Sequence, residues 1–301
     1  MEQDTSKLSA IPAGAVYINP RTDFGFKKIF SDRILLISFL NEVLPNVNII
    51  DIHYEPTESV DDFCDSRKAT FDLLCKTADG SYVLVEMQNA AQHYFADRAL
   101  FYGARMVSRQ AQRGRWNYHL QAVHVVSILN FMLNEGTGEV IERVSLMNER
   151  TKERFSDKLT FTYIQLPNFR KDVNELTNNF DMWLYSLKYL EKLTARPPEV
   201  QGRIFEHLFE SAQIKRLTVE EMETYNKSIL EYDDVKDAVD YATERGIERG
   251  IERGIERGIE QGRIMTVING AQNGVSIATL SLITLFSEQK IRDILKQNGL
   301  L

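Results

Sequence analysis

Cysteine is nearly absent: the chain of 301 residues has two, Cys64 and Cys75. Two thiols cannot frame a disulfide scaffold or a zinc ribbon, so free thiols in a reducing compartment are expected, with Cys75 buried on an apolar strand face. Positive charge is also in deficit, with 36 Lys and Arg against 43 Asp and Glu and a net charge of -7. A protein that coats nucleic acid shows a basic excess, so this balance argues against a general DNA-coating role. Long apolar runs are missing too. The longest, Ala122 to Leu133, is too short to cross a bilayer and is broken by His124, Ser127 and Asn130. The first residues, Met1 to Lys7, lack the basic and apolar regions of a secretory signal, so residues 1–18 read as a mobile leader and the protein as cytoplasmic, with no membrane partner. Histidines 53, 93, 119, 124 and 207 show no H-E-x-x-H spacing, and neither a Gly-x-x-x-x-Gly-Lys phosphate loop nor a Gly-x-Ser-x-Gly elbow occurs. Zinc hydrolase, nucleotide-cofactor and serine-hydrolase chemistry are therefore unsupported.

What remains is an ordinary globular composition, 43% hydrophobic and 26% charged, long enough for about two domains. Apolar residues at 26, 29, 30, 36, 37, 40 and 44 have helical spacing over 19–45, ended by Pro45. An acidic run, Asp51, Glu55, Glu58, Asp61, Asp62 and Asp65, follows and reads as a solvated loop. Two β-rich runs, 69–76 and 81–88, flank Thr77-Ala78-Asp79-Gly80 and predict a β-hairpin with one uniformly apolar face, Phe71, Leu73, Cys75, Val83, Val85 and Met87. Residues 91–113 turn helical, and 120–133 is the nearly continuous apolar run of a strand covered on both sides. A further extended segment is expected over 140–165, with Phe161 to Ile164 as its strand, and helices from 175 onward. Residues 246–262 repeat Gly-Ile-Glu-Arg with period four, a marginal helix that serves either as a spacer or, held by a partner, as an oligomerisation helix. The tail predicts two short helices capped by Ser276 and Ser287.

One constellation can carry chemistry. In a symmetric hairpin Asp72 lies directly opposite Glu86, with Cβ atoms about 5 Å apart on the second face. Two carboxylates so close repel unless one is protonated or a cation sits between them, and Mg²⁺ or Mn²⁺ suits oxygen ligands. The alternative is that both simply face solvent. Gln88 points to the same side, where it could orient a water. Downstream, Arg98, Tyr102, Arg105, Arg109 and Arg113 fall on one side of the expected helix, which is either an exposed basic face or a surface for a phosphodiester substrate. Residues 66–120 hold 8 Lys/Arg against 4 Asp/Glu, so the proposed site is locally basic within an acidic chain.

The segments Asp23-Phe24-Gly25-Phe26-Lys27-Lys28-Ile29-Phe30, Phe71-Asp72-Leu73-Leu74-Cys75, Val85-Glu86-Met87-Gln88 and Arg98-Ala99-Leu100-Phe101-Tyr102 together resemble the recombination-promoting nuclease/putative transposase family of the PD-(D/E)XK nuclease superfamily. The resemblance covers about residues 17–240, and the repeat with a helical tail is also typical of the family. It implies an α/β restriction-endonuclease-like core, a central mixed sheet flanked by helices followed by an α-helical C-terminal region, that cuts DNA with Mg²⁺. Carried over by residue, Asp72 and Glu86 are metal ligands. Gln88 takes the place of the superfamily's usual Lys, Asp23 the leading acidic position, and Lys28, Arg98 and Tyr102 supporting or DNA-contacting positions. The implied organisation is a core over 19–170, a helical extension over 171–242 packing on it, the repeat over 243–263 and a helical tail over 264–301. Homo-oligomerisation through 243–301 is the partner expectation besides DNA. A catalytically weak nuclease fold acting as a DNA-binding or self-assembly module is the rival reading.

Overall fold

Helical spacing over 19–45 leads to one helix, and the chain makes two, α1 (Asp23–Phe30) and α2 (Arg33–Val43). The computed structural model describes residues 10–45, 47–55, 72–133 and 138–301, so Cys64, Phe71 and the acidic residues 58–65 lie outside the described residues. Asp32 makes the break: its carboxylate accepts from the Ile34 and Leu35 N–H groups at 2.9 and 3.3 Å, which caps α2. Thr22 caps α1 by accepting from the Gly25 N–H at 3.0 Å. Glycine is required at 25, because a Cβ there would stand 1.9 Å from the Asn19 carbonyl oxygen. Residues 16–18, expected within a loose leader, are fastened. The Ile18 N–H donates to the Ala212 carbonyl at 2.9 Å, and the Tyr17 ring meets Phe209 edge-on at 5.2 Å.

Six strands form one mixed sheet: β1 (Ile52–Glu55), β2 (Leu73–Thr77), β3 (Tyr82–Gln88), β4 (Val123–Leu129), β5 (Ile141–Met147) and β6 (Arg154–Gln165). Their order is β1-β2-β3-β4-β6-β5, with β3–β4 and β4–β6 parallel and the other pairs antiparallel. The expected hairpin is β2–β3, turning at Gly80, whose φ of +88° a side chain would resist. Where one strand was expected in 140–165 there are two. Asn148 turns the chain between them by accepting from the Arg150 and Thr151 N–H groups at 2.9 and 3.0 Å.

Alternation along the strands sorts the core into two layers. On one face Leu73, Cys75, Val83, Val85, Val126 and Ile128 pack under α1, α2, α4 (Asn179–Tyr189) and α5 (Arg203–Ser211), where Trp183 is enclosed by Phe30, Phe39 and Phe205. Burial pushes the Cys75 thiol up to about 12, so it is chemically quiet. On the other face Leu74, Leu84, Val123, Val125 and Phe161 pack under α3 (Phe95–Ser108). This helix is shorter than the expected 91–113, because Gln110 leaves it to pair with the backbone of Gln121, accepting at 2.7 Å and donating at 3.1 Å. Every residue of β4 is buried, as its apolar run requires.

The last long helix, α6, runs Val219–Gln272 and contains the Gly-Ile-Glu-Arg repeat. The chain divides into one compact unit ending at Lys236 and a second, Asp237–Leu301. In the second, α7 (Ile277–Thr284) and α8 (Glu288–Gln297) start at Ser276 and Ser287 as expected, each hydroxyl accepting from an N–H at 3.2 Å. Val267, Leu280, Phe286, Ile291, Ile294 and Leu295 form its core. Among the described residues no helix is long and apolar enough to cross a membrane.

Candidate active site

The β2–β3 ladder ends with Leu73 opposite Val85, so Asp72 and Glu86 are the next residues on either strand. Asp72 sits just before β2, and the Met87 N–H donates to its Oδ2 at 2.7 Å. Burial pushes the Asp72 carboxyl up to about 6, against the pull of the Met87 N–H and with the push of the Asp23 and Glu86 charges nearby. Glu86 is buried at 3% exposure, and the hydroxyl of Ser127, its register partner on β4, donates to Oε1 at 2.8 Å. Burial raises the Glu86 carboxyl as well, while Ser127 and the Arg98 guanidinium hold it down. The Glu86 charge in turn adds to the burial that pushes Tyr163, on β6, up to about 12.

Three elements thus converge: the hairpin brings Asp72 and Glu86, the first turn of α1 brings Asp23, and α3 brings Arg98. Arg98 lies with its guanidinium 5.8 Å over the Phe95 ring and donates to Gln92. Gln88 is half-buried at the end of β3, on the same face as Glu86, and its carbonyl accepts from the Asn130 N–H at 2.8 Å. Next to it, the Asn89 side-chain amide donates to the Arg21 carbonyl at 2.7 Å. Among the described residues four buried side-chain polar atoms lack a hydrogen-bond partner: Arg21 Nε, Asn89 Oδ1, Arg98 Nη2 and Glu191 Oε2. Arg98 flanks Glu86, and the other three lie along the chain of contacts from Asn89 through Arg21 to Glu191. Two orphan donors are complementary to anionic oxygens, and two orphan acceptors to a donor or cation.

The other expected residues are distributed unevenly. Asp23 is also bound to Lys27 at 2.7 Å. Lys28 spends its ammonium on Glu221 of α6 at 2.5 Å. Tyr102 and Arg105 are half-buried along α3, and Arg109 is exposed at its C-cap, about 16 Å from Arg98 at 1.5 Å per residue. Arg113 falls beyond the helix, so the row of five is cut short. A cleft of about 510 Å³ lined by His124, Arg143, Thr160 and Thr162 opens toward the other end of β4 and contains none of the site residues.

Sequence reasoning missed Ser127, Asn89, Arg21 and Glu191. Ser127 left a trace as the hydroxyl in the middle of an apolar strand. Arg21 and Glu191 pair across 170 positions, and no local pattern signals that.

As a metal centre the site is lean: among the described residues no three His, Cys, Asp or Glu side chains gather as a ligand cluster. The donor set is a carboxylate pair, each member with one oxygen held by the protein. That fits a hard divalent cation, such as Mg²⁺, that keeps several waters of its own.

A six-stranded mixed sheet flanked by helices, followed by a helical C-terminal region, is consistent with the PD-(D/E)XK fold. The chain belongs to the PD-(D/E)XK nuclease family transposases, whose family model matches residues 20–242. Enzymes of this class usually use divalent metals. Neither the curated proteins nor the solved structures include a significant match to the chain.

Proposed function

We propose that the protein is a metal-dependent DNA endonuclease, hydrolysing phosphodiester bonds with Mg²⁺ or Mn²⁺ in recombination, transposition or defence against foreign DNA. The observation that carries this reading is the half-buried Asp72 and the buried Glu86 beside a guanidinium with an unpartnered N–H. Asp72 and Glu86 would hold the ion, which when bound polarises a phosphoryl oxygen and acidifies a water. Ser127 fixes the Glu86 carboxylate, and Arg98 favours its charged form against burial while offering Nη2 to a phosphate oxygen. Gln88 orients a water but has no charge to lend, so the positive charge facing the substrate comes from Arg98. Asp23, at the start of α1, adds negative charge beside Asp72 and favours cation uptake.

Supercoiled plasmid incubated with the full chain should be nicked with Mn²⁺ or Mg²⁺ and remain intact in EDTA. Asp72→Ala and Glu86→Ala should each abolish nicking, and Gln88→Lys should accelerate it. Nicking that survives both alanine changes sinks the proposal.

A second reading, a catalytically inert nuclease fold used for binding or self-assembly, is favoured by Gln88 and by Ile247, Ile251, Ile255 and Ile259, which are 53–59% exposed along the repeat helix. It requires a mass above the monomer in light scattering, dependent on residues 243–301.

A further inference from the structure

A second group of cations borders the site, on elements other than α3. Arg21 forms an ion pair with Glu191, both largely buried, and its guanidinium lies 5.5 Å from the centre of the Tyr232 ring. Around this pair stand Lys188, within electrostatic reach of Arg21, Arg170 and Lys192, and Lys236, within reach of Glu191. Of these five cations three, Arg21, Lys192 and Lys236, act on the Glu191 carboxylate, and Asp233 of α6 is the other acid facing the cluster, through Tyr232. Lys188 is held by the Phe169 carbonyl, to which it donates at 2.6 Å, and burial together with the neighbouring cations pulls its ammonium below the ordinary lysine range. Cations crowded this way repel each other unless an anion lies across them.

The cluster is tied directly to the end of β3. The Arg21 carbonyl receives the Asn89 amide, Gln88 is bound by the Asn130 N–H, and the Asn130 side chain is hydrogen-bonded to Tyr232. Three of the four orphan polar atoms, Arg21 Nε, Asn89 Oδ1 and Glu191 Oε2, lie along this connection. The cluster therefore adjoins the end of the strand that carries Glu86.

We infer that Arg21, Arg170, Lys188, Lys192 and Lys236 form a backbone-binding track that grips the phosphates of a DNA strand on the β3 side of the carboxylate pair. This deepens the nuclease reading and rests on it for the direction of the track. Contacts of this kind carry no sequence information; they set register and contribute salt-dependent affinity.

The test measures binding of a fluorescein-labelled 20-base-pair duplex to the full chain by anisotropy in EDTA, where no cutting occurs, at several salt concentrations. The exposed pair Arg170→Glu/Lys192→Glu is compared with an equal charge change on the β5–β6 turn, Arg150→Glu/Arg154→Glu, with melting curves showing that both variants fold. The track predicts at least tenfold weaker binding for the first pair and a salt slope smaller by about 2, at roughly 0.9 per lost phosphate contact. The control pair should stay within twofold. Equal losses in both variants, no loss in either, or no binding by the wild type overturns the track. Plasmid nicking by the same preparations separates the two ideas: nicking with unchanged binding in Arg170→Glu/Lys192→Glu removes the track alone, whereas selectively weaker binding by that variant, beside a wild type that binds but never nicks, removes the nuclease reading and keeps the track.

Discussion

Asp72 is kept where its charged form is disfavoured, and that has a thermodynamic consequence separable from catalysis. Its carboxyl is near 6 in the folded chain and near the ordinary carboxylate value when unfolded. Between about pH 4 and 6 the folded state therefore binds the extra proton, so this residue's contribution to stability falls as pH rises through that window. In EDTA, Asp72→Asn should be more stable than wild type by on the order of 2 kcal/mol at pH 8, with the gap closing toward pH 4. Urea melts at the two pH values check it; a gap that is constant with pH contradicts the buried-charge account. Metal acts oppositely. At a free Mn²⁺ concentration ten times its Kd the wild type should gain about 1.4 kcal/mol, and Asp72→Asn almost nothing. Ser127 positions Glu86 through its hydroxyl, so Ser127→Ala should weaken Mn²⁺ binding, read by calorimetry, by roughly 10–100-fold.

At the scale of elements, α1 and the repeat helix use glycine for opposite reasons. At Gly25 the Asn19 carbonyl oxygen leaves no room for a Cβ, so Gly25→Ala must displace the turn before α1 and with it Asp23; a loss of about 2–4 kcal/mol is expected in thermal melts. At Gly246, Gly250, Gly254 and Gly258 a Cβ meets nothing within 4 Å. Replacing all four by Ala should strengthen that stretch of α6 by about 3 kcal/mol, seen as slower amide hydrogen exchange there and little change elsewhere. The hairpin was readable in sequence because its turn residues and two-residue alternation are local. So were the placement of Asp72 and Glu86 at the same end of the hairpin, and the capping serines of α7 and α8. The break between α1 and α2 was hidden because Asp32 sits inside an apolar rhythm that runs through it. The extra strand β5 was hidden because it is an edge strand, mostly exposed, with weak alternation. Arg21, Glu191 and Lys188 were invisible because what makes them a site is distance in space, not in sequence.

Across the whole molecule, each compact unit has its own core, and that of Asp237–Leu301 is built on six buried side chains. Calorimetry should show two unfolding transitions, with Mn²⁺ raising only the one that belongs to residues 10–236; a single transition that shifts as a whole with metal would contradict this. Closure of the larger unit is unusually non-local. The Phe24 N–H donates to Ser228 at 2.9 Å, the Asn19 N–H to Tyr225 at 2.7 Å, and Lys28 reaches Glu221. The helix that carries Asp23 is thus seated by residues made some 200 positions later. At 5–20 residues per second, the ribosome needs on the order of tens of seconds to cover that interval. A nascent chain, or one truncated before residue 220, has the hairpin without the contacts from Glu221, Tyr225 and Ser228, so synthesis itself delays the seating of α1 and Asp23 until those residues are made.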